Sequence, residues 1–458
     1  MCGSTNSSPI DFSEVGLALA CSCFVALDRS MVDIFRGLIG LLAFIGILYL
    51  FSSDRKKIDW RLVLTGVTMQ VLIGLAVLRL GFVADFFDGV TRFFIDVLSF
   101  ADDGGKFVFG DLYDGSKFGF IFAVRVVPTI IFFSGLTSVL YYFGILQKIV
   151  FTFAWIMQKT MRLSGAESLA AAANVFVGQT EAPLVVKPYV ERMTRSELLC
   201  LMTGGMATIA GGVFAGYVGF LGGDDEELRV LFGKHLLTAS ILSAPAAILA
   251  AKMLIPQSEK VDTSLEIERD RLGVNAFDAA MVGTTQGMNL AFNVVAALIT
   301  FTAMIYFANY VLGEYIGSWL RLNGLVEQWT DGAYVNFDLN FIFGILFAPV
   351  AWLIGVDYGS LMSVGQLLGQ KLVLNEFVAF GTLGQMQDSG VLSDQRAVIL
   401  VSYALCGFAN FASIGIQIGG ISVIAPGQRA NLTQLALRAV LGGSIACFMT
   451  AAVAGMLV

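Results

Sequence analysis

Long apolar stretches alternate with short charged connectors along this chain, beginning near residue 31. A membrane-spanning helix needs about 20 predominantly apolar residues to cross the hydrocarbon core of a bilayer. By this criterion the pattern predicts an all-α polytopic membrane protein with eight transmembrane helices. The predicted spans cover residues 37–53, 62–84, 118–147, 198–223, 236–256, 279–313, 397–424 and 439–458.

Two further apolar stretches contain a carboxylate near the middle and are interrupted by glycine or proline. They are residues 163–190, with Glu181, and residues 358–390, with Glu376. Counting either as a crossing would upset the alternation of basic and acidic connectors, so we predict two re-entrant hairpins of opposite orientation. Each hairpin is followed by a span with a related core of small residues, at 205–211 and 407–413. Inverted repeats whose broken elements meet at mid-membrane are typical of secondary transporters.

The distribution of Lys and Arg predicts the orientation of the chain. Basic connectors occur at residues 55–61, 148–162, 252–271 and 429–438, whereas residues 222–228 and 313–338 are acidic. Because cytoplasmic loops carry an excess of Lys and Arg, we expect the basic connectors inside. Eight crossings then place both the N-terminus and the C-terminus outside.

The composition agrees with a membrane protein and excludes several other classes. Hydrophobic residues make up 57% of the 458 and charged residues 14%, about half the share of charge in soluble domains. The net charge of −7 and the lack of a basic cluster argue against a nucleic-acid partner. Six scattered cysteines and a single histidine disfavour a metal site, a disulfide framework and a histidine-based triad. We expect that histidine, His235, to make an interfacial hydrogen bond at the outer start of a span.

The first hairpin carries three polar residues in succession at its expected tip. Gly178 and Pro183 disfavour a continuous helix there, so backbone groups are freed within the membrane. Such backbone is tolerated only where it is packed in protein or lines a cavity. An amide, a hydroxyl and a carboxylate in succession suit a small polar ligand with both donors and acceptors. These three residues are Gln179, Thr180 and Glu181.

The second hairpin and the span after it offer a matching set. Glu376 lies in the hairpin, and Asn410 and Ser413 lie three residues apart in the following span, where one helical face would present both. A mid-membrane carboxylate is costly and therefore a functional candidate, and sugar hydroxyls could supply the donors that it needs. The alternative is that both hairpin carboxylates only fix packing, either neutral or ion-paired with residues such as Lys187 and Lys371.

Several motifs, in order, resemble the signatures of the concentrative nucleoside transporter family, and the similarity extends from residue 31 to the end of the chain. These motifs are residues 178–188, 204–212, 235–240, 374–379 and 403–413. The resemblance implies a homotrimer in which a mobile transport domain, built from the two hairpin units, moves against a scaffold. The implied division is a poorly ordered N-terminal extension (1–30), scaffold helices (31–147), a first transport-domain repeat (148–256), a scaffold helix with connectors (257–336) and a second repeat (337–458).

The resemblance also implies roles for individual residues. The first hairpin and the helix after it would hold the nucleobase through Gln179, Thr180, Glu181 and Val213. The second hairpin and its helix would hold the ribose through Glu376, Asn410 and Ser413, with Phe408 packed nearby. A sodium site at the first hairpin tip would be formed by Asn174, Val177, Thr208 and Ile209. Some bacterial members have serine in place of the threonine of this set, and its hydroxyl could still bind sodium.

The expected function is therefore import of nucleosides across the cytoplasmic membrane by a sodium-coupled symporter that works by alternating access. No cofactor is expected beyond the coupling ion, and the expected partners are the nucleoside, membrane lipid and further copies of the chain. Proton coupling is the main alternative, and a passive channel or receptor is another. An enzyme that uses Glu181 and Glu376 as an acid/base pair is disfavoured, because no histidine or cysteine constellation supplies a nucleophile or metal.

Overall fold

The computed structural model describes residues 12–118, 121–179, 181–223, 225–265 and 273–458, and within these ranges the chain is helical, without strands. The predicted all-α membrane fold is confirmed. Seven helical segments in the described ranges are long and apolar enough to cross a membrane. They are Met31–Leu50, Trp60–Arg79, Phe122–Tyr142, Arg195–Gly222, Glu226–Leu254, Ala276–Gly317 and Pro426–Leu457.

The N-terminal part contains two spans, a long surface helix and a third span. Its helices are α1 (Phe12–Leu50), α2 (Trp60–Arg79), α3 (Gly81–Phe109), α4 (Gly115–Phe118) and α5 (Phe122–Tyr142). Helix α1 continues through residue 30, so the predicted boundary of the N-terminal extension does not coincide with a helix end, and residues 1–11 lie outside the described ranges. The hydropathy pattern missed α3, because its apolar positions form one face of an otherwise acidic helix.

The first hairpin unit follows. Its helices are α6 (Ile145–Met161), α7 (Gly165–Phe176), α8 (Ala182–Val185), α9 (Lys187–Val190), α10 (Arg195–Ala207), α11 (Gly211–Gly222) and α12 (Glu226–Leu254). The predicted hairpin 163–190 has α7 as one arm and two short helices as the other. The predicted span 198–223 is not one helix, because residues 208–210 interrupt it between α10 and α11.

A long helix separates the two hairpin units. Helix α13 (Ala276–Tyr310) continues as a π-helical segment (Val311–Gly317) and is followed by α14 (Leu322–Trp329). Helix α13 packs along α5, and its glycines allow the two backbones to approach closely. A Cβ added at Gly287 would lie 2.8 Å from Cβ of Ser134, the kind of contact that only small residues permit between membrane helices.

The second hairpin unit has the same order of elements. Its helices are α15 (Leu339–Leu353), α16 (Leu361–Val373), α17 (Glu376–Asp388), α18 (Gln395–Leu405), α19 (Phe411–Ile424) and α20 (Arg429–Leu457). The predicted hairpin 358–390 consists of α16 and α17, separated by Leu374 and Asn375. The predicted span 397–424 is not continuous, because residues 406–410 divide it into α18 and α19.

Helix α1 shows that the two units are inverted. At its end, the amide of Ser53 donates to the carbonyl oxygen of Leu254, the last residue of α12, at 2.9 Å. Near its start, Asp33 pairs with Arg396 at 3.2 Å, and the same guanidinium donates to the carbonyl oxygen of Gly455 near the end of α20 at 2.8 Å. The equivalent helices α12 and α20 therefore end at opposite ends of α1, as the predicted inverted repeat requires.

The interruptions of the two units pack directly against each other at the centre of the core. Gly407 has φ +131°, and an added Cβ would lie 2.8 Å from the carbonyl oxygens of Met206 and Ala207. Glycine is needed at this position for two reasons. Other residues avoid this backbone conformation, and there is no space for a Cβ. The thiol of Cys447 donates to the carbonyl oxygen of Cys406 at 2.8 Å, which satisfies one backbone group freed by the break.

Candidate functional site

A cavity of about 420 Å³ lies between the two hairpin units and α13. It has room for a small polar molecule. Seven of the eight predicted ligand-binding residues line it: Gln179, Glu181, Val213, Glu376, Phe408, Asn410 and Ser413. The eighth, Thr180, lies outside the described residues.

The cavity receives the N-terminal ends of half-helices. Asn375 caps α17 by accepting a hydrogen bond from the amide of Val378 at 2.9 Å, and Asn410 caps α19 by accepting from the amide of Ser413 at 2.8 Å. Helix α11 begins at Gly211, next to the lining residue Ala210. Helix N-termini carry partial positive charge, so the electronegative atoms of a ligand are favoured here.

Glu376 is the most constrained side chain of the cavity. It is 2% exposed and begins α17, where the helix N-terminus favours a carboxylate. Its Oε2 accepts from Nδ2 of Asn410 at 2.7 Å, and its Oε1 accepts from the hydroxyl of Tyr217 at 3.2 Å. The protein itself therefore supplies donors that sequence reasoning assigned to a sugar. Nothing in the sequence marks Tyr217, which lies in an apolar helix.

The expected placement of Asn410 and Ser413 on one helical face is wrong in detail. Asn410 precedes α19 as its N-cap, with φ −143° and ψ 167°, and its side chain joins Ser413 to Glu376. Glu376 and Lys371 interact electrostatically, but they do not form a direct ion pair. Lys371 donates to the carbonyl oxygen of Ala404 at 2.7 Å, and in the described ranges no carboxylate lies within 4.0 Å of its Nζ.

The first and second hairpin units touch through Gln179. Its Nε2 donates to the hydroxyl of Ser413 at 3.2 Å, and its Oε1 accepts from Nε2 of Gln417 at 3.1 Å. Gln417 also donates to the carbonyl oxygen of Met202 at 3.0 Å, so it anchors the contact to α10. Sequence reasoning missed Gln417, although it lies four residues after Ser413 and therefore on the same helical face.

The opposite wall of the cavity comes from α13. Gln286, Asn289 and Asn293 line it, although α13 was predicted only as a span. The signal was present in the sequence, because these amides are three and four residues apart on one face of an otherwise apolar helix. Polar residues on a membrane helix are expected to face protein or a cavity rather than lipid.

The residues predicted to bind sodium lie on the other side of the first hairpin tip. Val177 is the C-cap of α7 and Thr208 is the C-cap of α10, with Ile209 next to it. Both amide atoms of Asn174 are buried and have no hydrogen-bond partner within the described part of the chain. The hydroxyl of Thr208 donates to the carbonyl oxygen of Gly204 at 2.9 Å, so its oxygen lone pairs are available to a cation.

The close approach of α7 to α10 places these groups together. A Cβ added at Gly204 would lie 2.9 Å from Nδ2 of Asn174. Two helix C-termini, which carry partial negative charge, thus meet around oxygen ligands. Oxygen donors of this kind are the ligands that hard cations prefer.

His235 makes a hydrogen bond inside the protein. The imidazole is 6% exposed, and its Nδ1 lies 3.1 Å from the hydroxyl of Tyr403. It joins α12 to α18.

Family models match most of the chain. "Na+ dependent nucleoside transporter N-terminus" matches residues 39–112, "Nucleoside recognition" matches residues 123–224, and "Na+ dependent nucleoside transporter C-terminus" matches residues 235–455.

Relatives with sequence similarity cover nearly the whole chain. An uncharacterized transporter of Haemophilus influenzae is 39% identical, over 93% of this chain and 98% of that protein. Sodium/nucleoside cotransporter 1 of Mus musculus is 37% identical, over 96% of this chain and 67% of that protein. Solute carrier family 28 member 3 of Mus musculus is 38% identical over 91% of this chain, which spans only 58% of that longer protein.

Solved structures share the fold. CNTnw in an inward-facing substrate-bound state is 37% identical and superimposes with a TM-score of 0.84, covering 93% of this chain and 99% of that one. A CNTnw double variant in an outward-facing state is 36% identical and gives a TM-score of 0.85 with the same coverage. With family models over most of its length and full-length relatives above 30% identity, this chain belongs to the Na+ dependent nucleoside transporter family.

Proposed function

We propose that this chain is a sodium-coupled symporter that imports nucleosides by alternating access. The observation that carries the proposal is the cavity lined by both hairpin units, with Gln179 and Glu376 on its walls and helix N-termini directed into it. The family membership and the two CNTnw states to which the chain is similar support the same function. The named relatives are transporters, and an enzymatic role gains no support from them.

The two hairpin units are proposed to hold different parts of the nucleoside. Gln179, Thr180, Glu181 and Val213 are proposed to hold the nucleobase, for which an amide and a carboxylate supply both donors and acceptors. Glu376, Asn410 and Ser413 are proposed to hold the ribose, with Phe408 against the sugar. This assignment is supported by the Glu376–Asn410 hydrogen bond of 2.7 Å, since a fixed carboxylate can accept from sugar hydroxyls.

The ion and the substrate would be coupled through the first hairpin tip. Asn174, Val177, Thr208 and Ile209 are proposed to bind sodium. Val177 is two residues before Gln179, so an ion at this position would order the loop that presents the nucleobase ligand. An ion drives transport only through a difference in affinity between states, and the coupling must be reciprocal. Sodium and nucleoside should therefore tighten each other's binding.

The hairpin units are proposed to form the moving body and the α5–α13 pair part of the scaffold. The cavity lies between α13 and both units, where Asn289 and Asn293 would face the substrate as the units move past. This division follows the domain boundaries implied by the family resemblance. It predicts that a cross-link between α13 and either hairpin would stop transport but still allow nucleoside binding.

The chain is a multi-pass membrane protein. Its membrane, the orientation of its termini and its oligomeric state are proposals. We place it in the cytoplasmic membrane with both termini outside, which is supported by the distribution of basic connectors and by the common face of Asp33 and Gly455. A homotrimer is proposed from the resemblance. Native mass spectrometry of the purified protein would then detect three chains, and a monomer or dimer would contradict the trimer.

Uptake into proteoliposomes tests the function. Purified protein is reconstituted, and radiolabelled uridine and adenosine are supplied under a sodium gradient or a proton gradient imposed separately. Accumulation above the external concentration under the sodium gradient alone is expected. Accumulation only under the proton gradient would favour proton coupling, equilibration without accumulation would favour a channel, and chemically altered nucleoside would favour an enzyme.

A further inference from the structure

A buried lysine near the tip of the second hairpin has no role in the function described above. Lys371 is 1% exposed, and its Nζ donates to the carbonyl oxygen of Ala404 at 2.7 Å. In the described part of the chain it forms no ion pair within 4.0 Å. The carboxylate of Glu376 interacts with this ammonium electrostatically without pairing with it directly. A buried ammonium without a directly paired carboxylate is costly unless further groups of negative character surround it.

Two helix ends supply that negative character. Lys371 lies in the last turn of α16, which ends at Val373. Ala404 lies in the last turn of α18, which ends at Leu405. Because the C-terminus of a helix carries partial negative charge, the ammonium is stabilised by two ends at once. The lysine therefore acts as a cation at the junction of two half-helices.

The first unit has the same junction with a different residue at the equivalent position. Lys371 lies three residues before Leu374, the C-cap of α16, and Asn174 lies three residues before Val177, the C-cap of α7. The partner helices α10 and α18 end in the same manner, at the first interruption of each broken span. Neither α7 nor α10 has a basic residue in its last turn. The first unit thus presents two negative helix ends and the unpartnered amide of Asn174, but no side-chain cation.

We propose that Lys371 is a tethered cation that fills, in the second unit, the place that sodium takes in the first. The comparison with sodium rests on the proposed sodium site, whereas the need for a fixed cation at Lys371 does not depend on that site. Lys371 is a positioning residue: it holds the ends of α16 and α18, beyond which Glu376 and Asn410 begin their ribose contacts. The consequence is functional asymmetry, since the ribose half is held by a fixed charge and only the nucleobase half depends on the ion.

Exchange of the two residues tests the proposal. Equilibrium binding of radiolabelled uridine to the purified full-length protein is measured across a sodium titration for wild type, Asn174→Lys, Lys371→Asn and Lys371→Arg. Asn174→Lys is expected to remove the sodium dependence of uridine affinity. Lys371→Asn is expected to weaken uridine by about tenfold or more at low sodium, to recover at high sodium, and to raise the Hill coefficient for sodium above the wild-type value. Lys371→Arg, which keeps the charge, should retain the wild-type sodium response.

Three results would overturn the proposal. One is a sodium dependence that persists in Asn174→Lys. Another is an equal loss of uridine affinity in Lys371→Asn and Lys371→Arg without any change in the sodium response, which is the result expected of a packing role. The third is an equal fall in the midpoint of thermal unfolding for Lys371→Arg and Lys371→Met. The proposal predicts instead that Lys371→Arg keeps the wild-type midpoint and that Lys371→Met lowers it.

The failure of the proposed function can be distinguished from the failure of this inference. If wild-type uridine affinity does not respond to sodium at all, the proposed coupling ion is wrong. The contrast between Lys371→Arg and Lys371→Met still decides whether the second unit needs a fixed cation. If the wild type responds to sodium and that contrast is absent, the coupling is retained and the tethered cation is rejected.

Discussion

At the tip of the second hairpin only Leu374 and Asn375 separate α16 from α17, whereas at the first hairpin residues 177–181 separate α7 from the short α8. The second tip is held by hydrogen bonds to protein groups: Asn375 accepts from an amide at the start of α17, and Glu376 accepts from Asn410 and Tyr217. The first tip is longer and lies beside the unpartnered amide of Asn174.

This difference shows how an inverted repeat can produce two unlike half-sites. Both hairpins present polar groups at helix N-termini, as the shared fold requires. The second tip is organised by hydrogen bonds to protein groups, and the first is the one that we propose an ion completes. Substitutions in the second unit should therefore change nucleoside affinity at every sodium concentration, and substitutions near Asn174 should change the sodium requirement.

The largest effect is expected for Glu376→Gln. The carboxylate oxygens accept hydrogen bonds from Asn410 and Tyr217, and we propose that they also accept hydrogen bonds from the ribose. Replacing the carboxylate with an amide removes its negative charge. Charge-assisted hydrogen bonds contribute about 1.5 to 3 kcal/mol each, so loss of two should reduce uridine uptake by about a hundredfold or more. Initial uptake rates in proteoliposomes measure this, and size-exclusion chromatography checks that the variant is folded. Wild-type rates in Glu376→Gln would reject the ribose role.

A smaller and more selective loss is expected for Asn410→Ala. The change removes the donor at 2.7 Å from Glu376 and the N-cap of α19, and uridine binding should weaken by about tenfold to fiftyfold. Uracil, which lacks the sugar, should weaken far less. Competition by uridine and by uracil against a labelled nucleoside gives the two values, and equal losses would remove the ribose assignment.

Thr208→Ala should act on the ion instead. Removing the hydroxyl at the C-cap of α10 deletes a proposed sodium ligand, and the sodium concentration for half-maximal uptake should rise by about tenfold. Ser402→Ala is the matched control, because Ser402 is also buried and donates to the carbonyl oxygen four residues earlier, at 2.7 Å, but in the second unit. An unchanged sodium requirement in Thr208→Ala would point to another ion or another site.

The smallest effect is expected for Tyr217→Phe. This change keeps the ring, which stacks on Phe380 with centroids 4.3 Å apart, and removes only the hydroxyl that donates to Glu376 at 3.2 Å. Uridine affinity should fall by about threefold to tenfold at all sodium concentrations. A shift in the sodium requirement without a loss of affinity at saturating sodium would contradict the separation of the two half-sites.

Hydropathy and the positions of helix-breaking residues predicted most of the fold. Long apolar runs predict spans because the bilayer sets their length. A carboxylate near the middle of an interrupted apolar stretch, as at Glu181 and Glu376, predicts a hairpin because lipid excludes charged groups and unpaired backbone groups. The interruptions at 208–210 and 406–410 were missed, since each is too short to lower the average hydropathy of the apolar stretch that contains it.

The candidate site was predicted where the residues are local in sequence. Gln179, Glu181 and Glu376 belong to short motifs, whereas Tyr217 and Gln417 reach the site only through the packing of α11 on α17 and of α19 on α10. Periodicity alone could have found the amides of α13. The packing of the two interrupted spans depends on tertiary contacts such as that of Gly407 with Ala207, which no local pattern encodes.

Reciprocal binding tests the central claim most directly. Uridine affinity is measured by isothermal titration calorimetry at a series of sodium concentrations, and sodium affinity is measured with and without saturating uridine on the same purified protein. If the ion orders the first hairpin tip of one shared site, each ligand raises the affinity of the other by the same factor. A uridine affinity that does not change with sodium would contradict the account.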